Sequence, residues 1–181
     1  MSFTKVVLIV QARMGSTRLP GKSLMDLAGK PLVGRILERL KRCKKIDEIV
    51  LATTDIENDN ILADLGNIYN INVFRGSEND LLDRYYQAAK YYTATVVGRF
   101  PADNPVPEPS EIDRIVDVHL KNQNVFTSNL STMMGNKYPD GIGAEMINFA
   151  ALESVWKENM HPNQREHVAT NFYNYATQKV V

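Results

Sequence analysis

The feature that most constrains this chain is an apolar run, Val6-Val7-Leu8-Ile9-Val10, that passes directly into Gln11-Ala12-Arg13-Met14-Gly15-Ser16-Thr17-Arg18-Leu19-Pro20-Gly21-Lys22. A run without a polar face reads as a strand buried on both sides, as in a parallel sheet. Loops at the carboxyl ends of such strands are where open α/β sheets bind ligands. This loop gathers Gly15, Ser16, Thr17, Gly21, Arg13, Arg18 and Lys22. Glycine lets a backbone approach a phosphate closely, and arginine and lysine bring charged donors. The combination predicts a nucleoside triphosphate site. A Gly/Lys-rich surface turn is the competing reading, and three cations in one short turn behind a buried strand weigh against it.

The loop nearly matches a P-loop, but five residues separate Gly15 from Gly21 where that motif has four. A P-loop is a tight nest of amides converging on one phosphate. Arg18 and Pro20 inside the turn suit a more open loop that clamps its ligand with side chains.

At 181 residues the chain fits one domain, with 44% hydrophobic and 23% charged residues as in ordinary globular proteins. No apolar stretch approaches the roughly 20 residues of a membrane span. The start shows neither a basic n-region nor a small-residue cleavage site. Cys43 is the only cysteine, which excludes an internal disulfide and a cysteine-cluster metal site. A cytoplasmic location is the resulting expectation. Net charge is zero, but the segment from Arg13 to Lys45 holds ten Lys/Arg against Asp26 and Glu38 alone. Lys41 to Lys45 read as a solvated helix end, favoured there by the helix dipole. No aromatics interleave with the basic residues, so no nucleic-acid partner is expected.

Strand-like and helix-like patterns alternate along the chain. Strands are expected at Thr4–Ala12, Ile46–Thr53, Val73–Phe74, Ala94–Phe100, Val125–Leu130 and Ala144–Phe149. Helices are expected at Pro31–Arg42, Asn58–Tyr69, Glu78–Tyr92, from Ser110 to Leu120, at Phe149–Lys157 and at Asn163–Tyr175. In the first helix Leu32, Val33, Ile36, Leu37 and Leu40 share one face. Alternating β and α implies a parallel sheet covered on both faces, and the expected fold is α/β, three-layered and Rossmann-like with a mostly parallel sheet.

Asp103 follows a buried strand beside prolines that fix the turn. A single carboxylate is a reasonable magnesium ligand, because magnesium completes its shell with phosphate and water. The same residue equally suits a role inside its own turn. Asp55 also ends a strand and is expected to cap the next helix. His167 has no metal-ligand spacing with His119 or His161. Trp156 and the aromatics of the last helix read as core.

Gln11-Ala-Arg-Met-Gly-Ser-Thr-Arg-Leu-Pro-Gly-Lys22 with Gly29-Lys30-Pro31-Leu32 resembles the signature of the sugar-acid cytidylyltransferases. These include the CMP-KDO synthetases, the acylneuraminate cytidylyltransferases and, most similar here, the spore coat polysaccharide biosynthesis protein F group. The resemblance continues at Val50-Leu-Ala-Thr-Thr-Asp55, Val73-Phe-Arg-Gly-Ser77, Leu82-Asp-Arg-Tyr-Tyr86, Arg99-Phe-Pro-Ala-Asp103-Asn-Pro105, Tyr138-Pro-Asp-Gly141 and Arg165-Glu-His167. It spans nearly the whole chain in order.

The resemblance implies a magnesium-dependent nucleotidyltransferase with a glycosyltransferase-A-like fold, making a CMP-sugar from CTP and a sugar acid for polysaccharide biosynthesis. It implies that Arg13, Ser16, Arg18 and Lys22, with Gly15 in the same loop, hold the triphosphate. Gln11, Ala12, Arg75 and Gly76 would lie near cytosine and ribose, and Asp83 and Arg84 near nucleotide or sugar. Asp103 would be the magnesium ligand. Tyr138, Asp140, Glu145, Arg165, Glu166 and His167 would line the acceptor side, with Arg165 offering a planar fork to a sugar carboxylate. For Arg165 to His167 an exposed helix start is an equal reading from the residues alone.

Relatives are commonly homodimers, which is the expectation here. Two departures stand out. The spore coat group often carries an acidic residue where this chain has Gly143. Relatives also continue to an Asp-Thr-x-Glu-Asp segment that supplies a second magnesium ligand, so residues 1–181 are expected to form one nucleotidyltransferase domain without that segment. A P-loop kinase, a guanylyl- or uridylyltransferase and a non-catalytic nucleotide-binding module stay open as alternatives.

Overall fold

A computed structural model describes residues 4–16, 19–130, 139, 141–159 and 161–173. The apolar run forms β1 (Val6–Gln11), and its neighbours in chain order are α1 (Leu32–Leu40), β2 (Glu48–Thr54), α2 (Asn60–Ile68) and β3 (Asn72–Gly76). Then come α3 (Leu81–Tyr91), β4 (Val96–Pro101), α4 (Pro109–Asn122), β5 (Phe126–Ser128), β6 (Glu145–Asn148), α5 (Phe149–Glu158), α6 (Pro162–Arg165) and α7 (Thr170–Tyr173).

The six strands form one sheet in the order β3-β2-β1-β4-β6-β5. β1 lies centrally, parallel to β2 and β4, which explains why its side chains are apolar on both faces. Val6, Leu8, Val10 and Ala12 pack on one side with Val33, Ile36, Leu37 and Leu40 of α1, Leu62 of α2 and Ile112, Ile115 and Val116 of α4. Val7 and Ile9 pack on the other with Leu82, Tyr85, Ala88 and Ala89 of α3, Leu152 and Val155 of α5 and Phe172 of α7. The result is a helix–sheet–helix sandwich.

The sheet is mostly parallel, as expected, with β6 running antiparallel to both β4 and β5. The structure corrects two expectations. The expected helix over Asn163–Tyr175 is, within the described residues, two short pieces, α6 and α7. Asn171 Nδ2 spans the break by donating to the carbonyls of His167 and Gln164, the latter at 3.1 Å. Among the described residues Asp55 caps no helix; the carboxylate that organises this corner is Asp59, four residues on and fully buried.

Candidate active site

The parallel part of the sheet fixes where the site lies. Ala12 N donates to Ala52 O at 3.2 Å and Ala102 N donates to Gln11 O at 3.0 Å, so the chain leaves β1 and β4 side by side. That adjacency at the carboxyl end of the sheet is where open α/β folds form their ligand crevice. The loop after β1 is held from below by Asp59. Its Oδ1 accepts from Met14 N at 2.8 Å, and its Oδ2 accepts from Thr53 Oγ1 at 3.1 Å, from Thr54 N at 3.2 Å and from the Thr54 hydroxyl. The loop then turns at Gly21, whose φ of 71° is left-handed and suits glycine. Gly21 N donates to Met14 O at 3.2 Å, and the short turn Lys22–Leu24 follows.

This path carries Lys22 across to the exit of β4. Lys22 Nζ lies 2.7 Å from Asp103 Oδ2, with both side chains partly exposed. Between the two strand exits opens a cleft of about 390 Å³. Gln11, Ala12, Arg13, Ser16 and Lys22 line one side; Arg99, Pro101, Ala102 and Asp103 line another; Glu78, Arg84, Glu166 and His167 complete it. Gly15 adjoins it beside Glu78.

The cleft's polar groups are unevenly satisfied. Among the described residues, the buried side-chain atoms without a hydrogen-bond partner are Gln11 Oε1, Arg84 Nε and Arg99 Nε, and all three residues line this cleft. Leaving a buried donor or acceptor unpaired costs about 1–3 kcal/mol, so three in one place mark a region arranged around a polar ligand. Arg84 is buried on α3 and donates from Nη1 to Ser77 O at 2.8 Å. Burial lowers its pKa, and the Arg13 guanidinium adds to the shift while Tyr85 opposes it. Burial also works against the charge of Arg99, but the Glu145 carboxylate, helped by Tyr85, outweighs it and raises the pKa.

Several residues expected at the site stand elsewhere. Arg75 donates to Thr54 O at 3.0 Å, Asn60 Oδ1 at 2.6 Å and Ile56 O at 2.8 Å, which ties β3 to the start of α2. With Gly76 and Asp83 it borders a separate hollow beside Phe74, Gln87 and Tyr91. Asp83 accepts from Gln87 Nε2 at 3.0 Å and from Trp156 Nε1 at 2.8 Å, so its Oδ1 serves packing of α3 against α5. Trp156 also stacks on Tyr86, 4.1 Å between ring centroids.

Arg165 is committed as well: Nε donates to Asp80 Oδ2 at 2.6 Å, and Nη1 to Trp156 O at 3.0 Å and Asn159 O at 2.7 Å. Asp80 in turn caps α3 through Asp83 N at 2.8 Å. Glu145 is fully buried and reaches the cleft only through Arg99. Arg18, Tyr138 and Asp140 lie outside the described residues. Arg99, legible in the sequence only as the start of a matching segment, and Asp59 were not expected at the site. A lone charge within Val96-Val-Gly-Arg-Phe-Pro101 was the available signal for Arg99.

The donor set at Asp103 fits one hard cation. Its carboxylate already holds the Lys22 ammonium, and among the described residues no three His, Cys, Asp or Glu side chains cluster. A single carboxylate that leaves the remaining positions to phosphate and water is how magnesium is commonly bound.

Fold and cleft together define an α/β protein of the Rossmann-like nucleotidyltransferase type. The chain belongs to the cytidylyltransferase family, whose sequence model matches residues 7–178. It is 41% identical over 169 residues to an uncharacterized protein of Methanocaldococcus jannaschii, covering 93% of this chain and 67% of that one. It is 32% identical over 175 residues to the spore coat polysaccharide biosynthesis protein SpsF of Bacillus subtilis, covering 94% and 70%. A solved cytidylyltransferase from Leptospira borgpetersenii superposes with a TM-score of 0.88 at 33% identity, covering 95% of this chain and 72% of that one. No helix of the described residues is long and apolar enough to cross a membrane.

Proposed function

We propose that this chain transfers CMP from CTP to a hydroxyl of a sugar acid, releasing pyrophosphate and forming a CMP-sugar for polysaccharide synthesis. The observation that carries the reading is the meeting of the basic loop with Asp103 in a cleft that also holds three unpaired buried polar atoms. Arg13, Ser16 and Lys22, with Arg18 of the same loop, bind the triphosphate, and Gly15 lets it approach the backbone. Gln11 and Ala12 face the base. An amide oxygen without a protein donor suits the exocyclic amine of cytosine and disfavours the carbonyl that uracil has there. Arg84 reaches the phosphates from α3 beside Arg13. Asp103 would hold magnesium, which would supply charge neutralisation to the phosphate oxygens.

The acceptor hydroxyl attacks the α-phosphorus in line; the new O–P bond forms as the bond to the β-phosphate oxygen breaks, and the hydroxyl proton is released. Arg13 and Lys22 neutralise the charge that develops on the leaving pyrophosphate. Glu166 and His167 border the acceptor's end of the cleft. No side chain needs to bond covalently to the substrate, so catalysis rests on positioning and charge.

The test is a pyrophosphate-release screen of the four ribonucleoside triphosphates against a panel of sugar acids, with magnesium and with a chelator. Release confined to CTP plus a sugar acid, and abolished by the chelator, is the expected result. Release of orthophosphate with a nucleoside diphosphate left behind would overturn it. So would tight CTP binding with no turnover on any acceptor.

A further inference from the structure

Arg99 stands on β4 opposite Ile9 of β1 and Glu145 of β6, and Pro101 stands opposite Gln11. All five residues therefore face the same side of the sheet, the side covered by α3 and α5. Glu145 Oε2 accepts from Arg99 Nη1 at 2.6 Å, and Glu145 Oε1 accepts from Tyr173 Oη at 3.1 Å. Each carboxylate oxygen thus has its own donor, which fixes the carboxylate and, through it, the plane of the guanidinium. The glutamate side chain is fully buried, whereas the Arg99 side chain keeps 17% of its surface exposed.

The opposite edge of that guanidinium is unpaired. Nε is buried without a partner, and among the described residues Nη2 has no hydrogen bond either. Nε–H and one Nη2–H are parallel, and this edge matches the two oxygens of a carboxylate. A planar fork locked on one side and unpaired on the other, on a residue that lines the cleft, suits a carboxylate.

We infer that Arg99, oriented by Glu145 and Tyr173, is the residue that selects a carboxylate-bearing acceptor, a role that rests on the cytidylyltransferase reading of the same cleft. Two further observations favour this assignment. Arg165 has already committed Nε and Nη1 to Asp80 and to two carbonyls. Arg84 has a similar unpaired Nε but lies in the field of Arg13, on the triphosphate side. Glu145 also sets the charge class. Its carboxylate in contact with Arg99 offsets the charge of that guanidinium, which favours a monoanion over a phosphate dianion at this position.

The experiment titrates wild-type protein by calorimetry with 3-deoxy-manno-octulosonate, N-acetylneuraminate and glucuronate, each beside its carboxyl-reduced alcohol, with glucose 1-phosphate as the dianionic probe. CTP is titrated separately on every protein. Arg99→Lys keeps the charge and removes the fork. The double variant Arg99→Met with Glu145→Leu removes charge and partner together, so that no buried carboxylate is left unpaired. Circular dichroism checks the fold of each.

Wild type is expected to bind at least one acid tenfold or more tightly than its alcohol, and more tightly than glucose 1-phosphate. Arg99→Lys is expected to lose about tenfold or more for that acid, with CTP affinity within about twofold. The double variant is expected to bind acid and alcohol equally. If no acid in the panel binds wild type, or if acid preference survives in Arg99→Lys or in the folded double variant, the assignment is overturned. The CTP titration decides the underlying reading separately: CTP binding with no Arg99-dependent acid preference sinks this assignment alone.

Discussion

Lys22 Nζ sits 2.7 Å from Asp103 Oδ2 across a separation of 81 positions, joining the loop after β1 to the exit of β4. Both side chains are partly exposed, at 25% and 42%. Exposed ion pairs contribute about 0–1 kcal/mol, too little to account for bringing the two segments together. The pair instead keeps a cation and a carboxylate ready where a charged tail would enter. Lys22→Met is therefore expected to change folding stability by less than about 1 kcal/mol in urea titrations. CTP affinity should fall about 10–100-fold, the scale of a lost charged hydrogen bond, with CMP affinity nearly unchanged. Equal losses for CTP and CMP would contradict the placement.

Asp103→Asn tests the other half of the pair. The amide keeps size and shape but lacks the charge that a hard cation needs. The expected outcome is pyrophosphate release reduced by at least about 1000-fold, roughly 4 kcal/mol of lost transition-state stabilisation, with an unchanged urea midpoint. Magnesium-dependent turnover close to wild type would remove Asp103 from the metal role.

Asp59 makes a sharper demand on stability. It is fully buried and accepts from Met14, Thr53 and Thr54. Replacing it with alanine strands several donors at once. The expected loss is about 3 kcal/mol, within the range for breaking a buried hydrogen-bonded network. Because one of those donors is the Met14 amide, CTP affinity should fall as well. A variant that loses stability but binds CTP as wild type does would separate Asp59 from the loop.

The legible parts of this molecule were those whose physics is local. The five apolar residues of β1 announced a central buried strand, and the spacing of Val33, Ile36, Leu37 and Leu40 gave the buried face of α1. The Gly21 turn and the cations around it marked the ligand loop. What depends on distant partners was not readable. Glu145-Met-Ile-Asn148 carries no sign of its direction, so the antiparallel run of β6 is visible only in its pairing with β4. Asp55 and Asp59 both follow β2, and only the returning Met14 amide distinguishes them. Arg165 looked like the free carboxylate fork, but Asp80, 85 positions away, already occupies its Nε.

Gly143 has a packing reason to be glycine. A Cβ at that position would overlap the Asn129 side chain. Asn129 is itself buried and accepts from Ala144 N at 3.0 Å. Gly143→Asp is therefore expected to destabilise by about 2–3 kcal/mol, through overpacking and a displaced polar group. Adding Asn129→Gly should recover part of that loss. Additive destabilisation in the double variant would show that the two sites do not compete for the same space.

His119 gives the fold a pH dependence of known sign. Its ring lies under α4 with Nδ1 3.0 Å from Thr127 Oγ1 and Nε2 3.0 Å from Asn148 Oδ1. An Nε2–H tautomer donates to the amide oxygen and leaves Nδ1 to accept from the hydroxyl. Burial lowers the pKa of this ring, with the Asn148 contact opposing it. The unfolded chain, at an ordinary histidine pKa of about 6.5, therefore takes up the proton first as pH falls. The stability contributed by neutral His119 is complete above that value and declines as pH drops toward the lower folded value. The slope is at most about 1.4 kcal/mol per pH unit. Urea titrations at pH 7.5 and pH 5.5 should show the loss in wild type and a smaller one in His119→Gln, which cannot titrate; the same difference in both would assign the pH dependence to another group.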